Sequence, residues 1–302
     1  MAQPGDVLLT LADRPIRALI VYASKPAAVA LVTTRVRQGL LQPDLFTLVH
    51  ETFPTDTCEC ADIALPATAQ REQLDIYRPC GTLDTMWNEA AIAPLGAACS
   101  SAERCRCPAA RMGLTEPCCA ETDEAVARGA HDRAAPVNAT LDFDVLKQDG
   151  GQPLALPERW ALFAEGNFPT PSGRCEFESE TARQQGFGVL PALVPPRASA
   201  LGDAAPAARC LLVLLTPPSR HYLNASFSSM ASLRHDTCAA RVWARVRTGI
   251  VVAPSIWWKK LSADGEHANA APSDAPTDIG RGATCYGTAV EVARLAVVSR
   301  AH

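Results

Sequence analysis

Apolar residues gather here into short runs separated by polar breaks containing Pro and Gly. Arg17–Tyr22 (RALIVY) is rich in β-branched and large apolar residues and predicts a buried strand. Pro26 and the small residues after it lead into a stretch of helix formers, about Ala28–Leu41. Leu45–His50 (LFTLVH) predicts a second strand, and Ile63–Leu65 a third, closed by Pro66. Strands alternating with helical segments predict an open α/β sheet. The ligand edge of such a sheet lies at the carboxyl ends of its strands. Those ends carry Tyr22-Ala23-Ser24-Lys25, then His50-Glu51-Thr52, then Pro66-Ala67-Thr68.

Ser101–Met112 reads as a helix, with Ser100 or Ser101 as its N-cap and Gly113 at its end. Pro108 inside it predicts a kink or a later start. Thr122–Gly129 predicts a shorter helix. From His131 to Pro206 periodicity weakens, and the expectation is loops with scattered short elements wrapping the α/β core. A boundary near Ala205 divides an α/β portion, 1–205, from a β-rich portion, 206–302. In the latter, Leu211–Leu215 end abruptly at Thr216-Pro217-Pro218, as a buried strand ends at prolines. Ser219, Arg220, His221, Tyr222, Asn224 and Ser226 follow. Val251–Lys260 (VVAPSIWWKK), with Asn269 and Ser273 beyond it, is a second stretch of this kind. Buried strands that release donors and cations into loops build ligand sites. Together the two stretches point to a pocket for a large, polar, anionic ligand.

Composition narrows the function. The 302 residues have room for about two domains, and 48% hydrophobic residues suffice for a substantial core. A formal net charge of −4 argues against nucleic acid as a partner. The short basic clusters Arg35–Arg37, Arg104–Arg106 and Arg241–Arg247 read as solvated faces. Met1–Thr10 lacks the design of a secretory signal, and no apolar run approaches the length of a membrane span. The expectation is a soluble, cytoplasmic chain without a membrane segment. The 12 cysteines include Cys58-x-Cys60, Cys105-x-Cys107 and Cys118-Cys119, which lack the C-x-x-C pairs of zinc and iron–sulfur sites. They read as scattered thiols in preference to a metal cluster.

Seven ordered blocks carry a family resemblance: LIVYASKPAAVA (19–30), DLFTLVHETFPTDT (44–57), ADIALPATAQREQLD (61–75), FPTPSGRCEFESE (168–180), TPPSRHYLNASF (216–227), GIVVAPSIWWKKLS (249–262) and ANAAPSDAPTDIGRGAT (268–284). On these the chain resembles the C-terminal portion of molybdopterin oxidoreductases of the dimethyl sulfoxide reductase family, with its nitrate reductase-like and formate dehydrogenase-like members. The resemblance implies an α/β open sheet followed by a small double-psi β-barrel. That barrel is expected to be incomplete, because His235–Thr248 is too short for the strands the family places between Arg234 and Gly249. A barrel without them is expected to be open, aggregation-prone or completed by another chain.

The implied cofactor is a molybdenum or tungsten ion held by two molybdopterin guanine dinucleotides. Its pyrophosphates, guanines and pterins call for many hydrogen-bond donors, a few cations and flat apolar walls. By resemblance, Thr216, Arg220, His221, Asn224 and Ser226 line one pterin or its phosphates. Ser255, Trp257, Trp258 and Lys259 form a second wall, and Asn269 bonds a pterin edge. A plainer reading keeps Trp257 and Trp258 as barrel core and His221–Asn224 as a satisfied turn. Upstream, the asparagines usual after the first strand are replaced by Ala23 and Lys25, flanking Ser24; Lys25 retains a charge for phosphate but not an amide's two-sided bonding. Glu51, Asp56, Thr57, Asp62 and Thr68 match the family, and Asp62 is either structural or ligand-facing.

In the family, the iron–sulfur cluster and the residue that ligates the metal lie upstream of every matched block. The resemblance therefore names no catalytic residue and no metal ligand here. It implies part of a molybdopterin-dependent oxidoreductase, contributing to cofactor binding for two-electron or oxygen-atom transfer. An iron–sulfur cluster, a small-molecule substrate and an electron-transfer partner belong to the full-length parent. Two other readings stand beside it: a non-catalytic dinucleotide-binding or interaction module, and a decayed remnant without activity of its own.

Overall fold

The computed structural model describes residues 16–131, 134–184, 186, 188–190, 192, 208–209, 212–217, 226–227, 229–230, 232, 247–253 and 288–291. The chain divides into two compact units, one of residues 1–49, 54–64 and 176–302, the other of residues 50–53 and 65–175.

The first unit opens with β1 (Ala18–Tyr22), α1 (Pro26–Val29), α2 (Thr33–Leu40), β2 (Phe46–Glu51) and β3 (Ile63–Pro66). The strands form one sheet in the order β1-β2-β3, and the division between the units falls within β2 and β3. Ala27, Val36, Leu40, Leu45 and Cys60 form the core on the helical side, with Leu19 and Ala30 packed against it. The single helix expected over about Ala28–Leu41 is instead two. Ala30 is extended, and Val32 caps α2 from the left-handed region at φ 47°. The local sequence explains the break, since Val29, Val32, Thr33 and Thr34 are β-branched and lose side-chain freedom in a helix. Thr33 Oγ1 donates to the Ala30 carbonyl at 3.3 Å, bonding back across the break.

The second unit has its own sheet and core. β4 (Asp75–Tyr77), β5 (Asp84–Asn88) and β6 (Gly151–Pro153) pair antiparallel in that order, with Ile76 opposite Trp87 and Thr85 opposite Gln152. Three helices accompany them: α3 (Ser101–Arg111), α4 (Asp123–Gly129) and α5 (Phe143–Asp149). Trp87, Ala127, Leu141, Phe143 and Leu146 make the core, joined by Leu74, Ile76 and Leu154. The helix ends follow their capping residues. Ser100 Oγ accepts from Glu103 N–H at 3.1 Å, and Thr122 Oγ1 accepts from Ala125 N–H at 3.1 Å. Asp142 Oδ1 accepts from the N–H groups of Asp144 and Val145, and Gly150, at φ 79°, closes α5 in the left-handed conformation.

The short elements expected within the loop-rich stretch from His131 include α5 and β6, which build into the core of the second unit. β4 and β5 lack a strand signal in the sequence. They are short, and Asp75, Asp84, Thr85 and Asn88 break the apolar alternation that signals a strand. Pro108 lies within α3 without delaying its start. After β6 the chain is irregular to residue 179, although the FPTPSG segment is a closed turn. Within it Phe168 N–H donates to Gly173 O at 3.3 Å, and Thr170 Oγ1 donates to Arg174 O at 2.6 Å.

The rest of the first unit contains α6 (Glu180–Gln184) and a three-stranded sheet of β7 (Leu212–Leu215), β8 (Ile250–Val252) and β9 (Thr288–Val290), in the order β8-β7-β9. β7 pairs parallel with β8, Leu214 opposite Val251, and antiparallel with β9, Leu212 opposite Val290. Leu214, Val251 and Ala253 are its buried core, and Leu212 and Val290 pack against them. The architecture is mixed α/β, with both parallel and antiparallel pairing. Residues 193–207, around the expected boundary near Ala205, and 233–246, where family strands were expected to be missing, lie outside the described residues.

Candidate functional site

In the first unit the candidate site begins where β1 ends. Ala23 turns the chain at φ 47°, in the left-handed region, so that Ser24 is exposed and Lys25 half-buried. The Lys25 carbonyl accepts from Ala28 and Val29 N–H at 2.9 and 3.1 Å, starting α1. This loop is fastened from beneath. Thr55, Asp56 and Thr57 are buried, and Thr57 Oγ1 accepts from the buried Ala27 N–H at 3.2 Å. Arg37 Nη1 donates to the Asp56 carbonyl at 3.4 Å. Thr57 is thus a positioning residue for the Ser24–Lys25 loop.

Asp62 joins the strands directly. Its Oδ2 accepts from Thr47 N–H at 2.7 Å, while its own N–H donates to Thr47 O at 2.9 Å. The side chain remains exposed. Further along the same unit, β7 delivers Thr216, half-buried, directly after its last residue, and Ser226 is half-buried as well. Arg220, His221, Asn224, Ser255, Trp257, Trp258, Lys259 and Asn269 lie outside the described residues.

In the second unit a polar cluster forms around His50, which is 1% exposed. His50 Nε2 lies 3.2 Å from the Pro66 carbonyl. A carbonyl only accepts, so Nε2 is the donor in this contact. Neither His50 Nδ1 nor the buried Nε of Arg104 has a hydrogen-bond partner. Burial first, and then the Arg104 charge, hold the His50 imidazole below its usual range. Burial pushes the Cys99 thiol up, with Glu103 and Cys107 adding to this and Arg104 opposing it. A thiol held protonated is a poor nucleophile. Thr68 N–H donates to Cys99 O at 3.2 Å and Thr68 Oγ1 to Gln73 Oε1 at 2.5 Å.

The sequence places Arg104 in a basic cluster that reads as a solvated face, yet its Nε is buried. Arg106 instead pairs with Asp123 at 2.7 Å. Sequence spacing held no signal for the His50–Arg104 association, which is made by the fold. Among the described residues no group of three or more His, Cys, Asp or Glu is placed to hold a metal ion. No helix among them is long and apolar enough to cross a membrane.

No protein-family model matches the chain. It is 30% identical over 329 aligned residues to "Probable oxidoreductase YoaE" of Bacillus subtilis (strain 168), a match covering 98% of this chain and 46% of the relative. The chain is related to probable oxidoreductases. A second relative, "Probable oxidoreductase YyaE" of the same organism, is 31% identical over 197 residues, covering 65% of this chain and 29% of its own length. The chain thus spans less than half the length of these curated relatives. Its fold is similar to that of acetylene hydratase from Pelobacter acetylenicus, with a TM-score of 0.61 and 18% identity over 84% of this chain and 39% of that one.

Proposed function

We propose that this chain is part of a molybdopterin-dependent oxidoreductase and contributes to binding a molybdopterin guanine dinucleotide, with molybdenum or tungsten at the reactive centre. The observation that carries the proposal is the match to a probable oxidoreductase along 98% of the chain. The polar composition of the strand-end loops supports it. When bound, such a cofactor supplies two-electron chemistry at its metal. The residues of this chain bind and orient it.

The described residues fit parts of that ligand. Ser24 both donates and accepts hydrogen bonds, and Lys25 is a compact cation suited to phosphate. Asp62 is only an acceptor when ionised, so it suits the N–H groups of a guanine edge and opposes a phosphate. Thr216 adds a hydroxyl at the end of β7. Arg220, His221, Asn224 and Ser226, with Ser255, Trp257, Trp258, Lys259 and Asn269, are assigned to the same ligand from the sequence.

GDP reproduces the guanine and pyrophosphate of the dinucleotide and tests the proposal by titration calorimetry on the purified chain. Saturable GDP binding, discriminated from ADP and weakened about tenfold by Arg220→Ala, is the expected result. Equal, unsaturable heats for both nucleotides with a folded chain would sink the assignment.

A further inference from the structure

The cluster at the ends of β2 and β3 has a chemistry that the cofactor assignment does not use. Ala67, just beyond β3, forms a parallel bridge with Cys99, and Thr68 N–H donates to Cys99 O at 3.2 Å. The start of α3, capped by Ser100, is thereby held at the carboxyl ends of the two strands, the edge at which α/β sheets take ligands. His50, 1% exposed, stands at that edge. Its ring is faced by the Pro66 and Cys99 carbonyls, the Arg104 charge and the Glu51 carboxylate. From the first turn of α3, Arg104 brings a half-buried guanidinium whose Nε is itself buried. Among the described residues no carboxylate pairs with Arg104. The Cys99 thiol beside it is pushed towards its neutral form by burial, so it supplies no counter-charge.

Buried polar atoms need hydrogen-bond partners, and a charge drawn out of water needs an opposite one. Here Arg104 Nε and His50 Nδ1 both lack a partner. The Arg104 Nε–H can only donate. With Nε2 donating to Pro66, Nδ1 accepts in the neutral ring and donates in the protonated one. One small group serves both nitrogens if it is an oxyanion that shares a single proton with Nδ1. We infer that Arg104 and His50 form a proton-linked site for a small oxyanion that carries one proton, of which hydrogen phosphate and hydrogen carbonate are the tetrahedral and planar forms. One oxygen accepts from Arg104 Nε–H, and the protonated oxygen donates to His50 Nδ1. An anion without a proton binds only when His50 takes one from solution. The inference goes beyond the cofactor assignment and shares no residue with it. Its ligands have no nucleobase, so the two fail separately.

The test is titration calorimetry on the full chain at fixed ionic strength and about pH 8, where histidine is neutral. Inorganic phosphate, hydrogen carbonate and sulfate, which has no proton at that pH, are the probes. Expected is saturable binding of phosphate or hydrogen carbonate at least about tenfold tighter than of sulfate, and unchanged with GDP present. Lowering the pH to about 6 tightens sulfate binding, with a proton taken up from the buffer. Arg104→Gln is expected to weaken the binding of the protonated anion at least about tenfold, and His50→Gln to remove the pH dependence of sulfate binding, the circular dichroism spectrum being retained in both. The inference is overturned if neither protonated anion saturates, if sulfate binds as tightly at the higher pH, if GDP displaces the anion, or if a folded Arg104→Gln chain binds it unchanged. The first three are read on the unaltered chain and decide the matter even where a variant fails to fold.

Discussion

Ala23 lies where the chain leaves β1 for the Ser24–Lys25 loop, and it does so at φ 47°. An L-residue with a Cβ pays roughly 1–2 kcal/mol for this conformation, which Asn and Gly adopt more readily. Asparagine is what the family resemblance would place at the end of this strand. Ala23→Asn is therefore expected to raise stability by about 1 kcal/mol, read from denaturant unfolding, and Ala23→Val to lower it. His50, buried, and His131, half-buried, give a pH signature. Burial and Arg104 depress the His50 pKa, and burial and Arg78 depress that of His131. As pH falls through the ordinary histidine range, the unfolded chain takes up protons that the folded chain resists. Stability is level above about pH 6.5 and declines below it. Urea midpoints between about pH 7.5 and pH 5.5 measure this, and His50→Gln removes part of the slope. A midpoint that does not fall on acidification contradicts it.

The elements depend on a few buried polar contacts. Thr57 satisfies the buried N–H of Ala27 and so holds the start of α1 under the Ser24–Lys25 loop. Thr57→Val leaves that donor unpaired and is expected to cost about 1–3 kcal/mol. Thr57→Ser, which retains the oxygen, costs less, and thermal unfolding distinguishes them. Asp142→Ala removes the acceptor at the start of α5 and should cost about 1 kcal/mol. These elements were legible in the sequence to different degrees. β1, β2, β3 and β7 follow from dense β-branched and leucine runs, and α3 from Ser100 or Ser101 as its cap, with α4 expected over Thr122–Gly129. β4 and β5 were illegible because polar residues fill half of their few positions. α5 was hidden by its position in a Pro- and Gly-rich region, though Asp142 and Gly150 bracket it with ordinary capping chemistry. At the site, strand-end loops marked Ser24, Lys25 and Thr216, while the His50–Arg104 cluster joins residues 54 positions apart in sequence. No local pattern reports such a pair.

At the scale of the whole molecule, two units with separate cores share one chain, and this chain matches less than half of each longer relative. Its match to a probable oxidoreductase extends over nearly its full length, whereas the family resemblance would place the metal ligand and iron–sulfur cysteines upstream of the blocks that carry it. On the proposed function, binding and catalysis separate: the dinucleotide contacts proposed for this chain are expected to hold the cofactor without supporting turnover. The most direct measurement is made on the chain produced in a host that synthesises the molybdopterin guanine dinucleotide. GMP released by acid from the purified, folded protein is quantified alongside molybdenum. GMP in molar proportion to the chain, lost in Arg220→Ala, is the predicted result, whether or not molybdenum is retained. A folded chain that releases no GMP would contradict the assignment of residues 216–227 and 249–273 to a cofactor site.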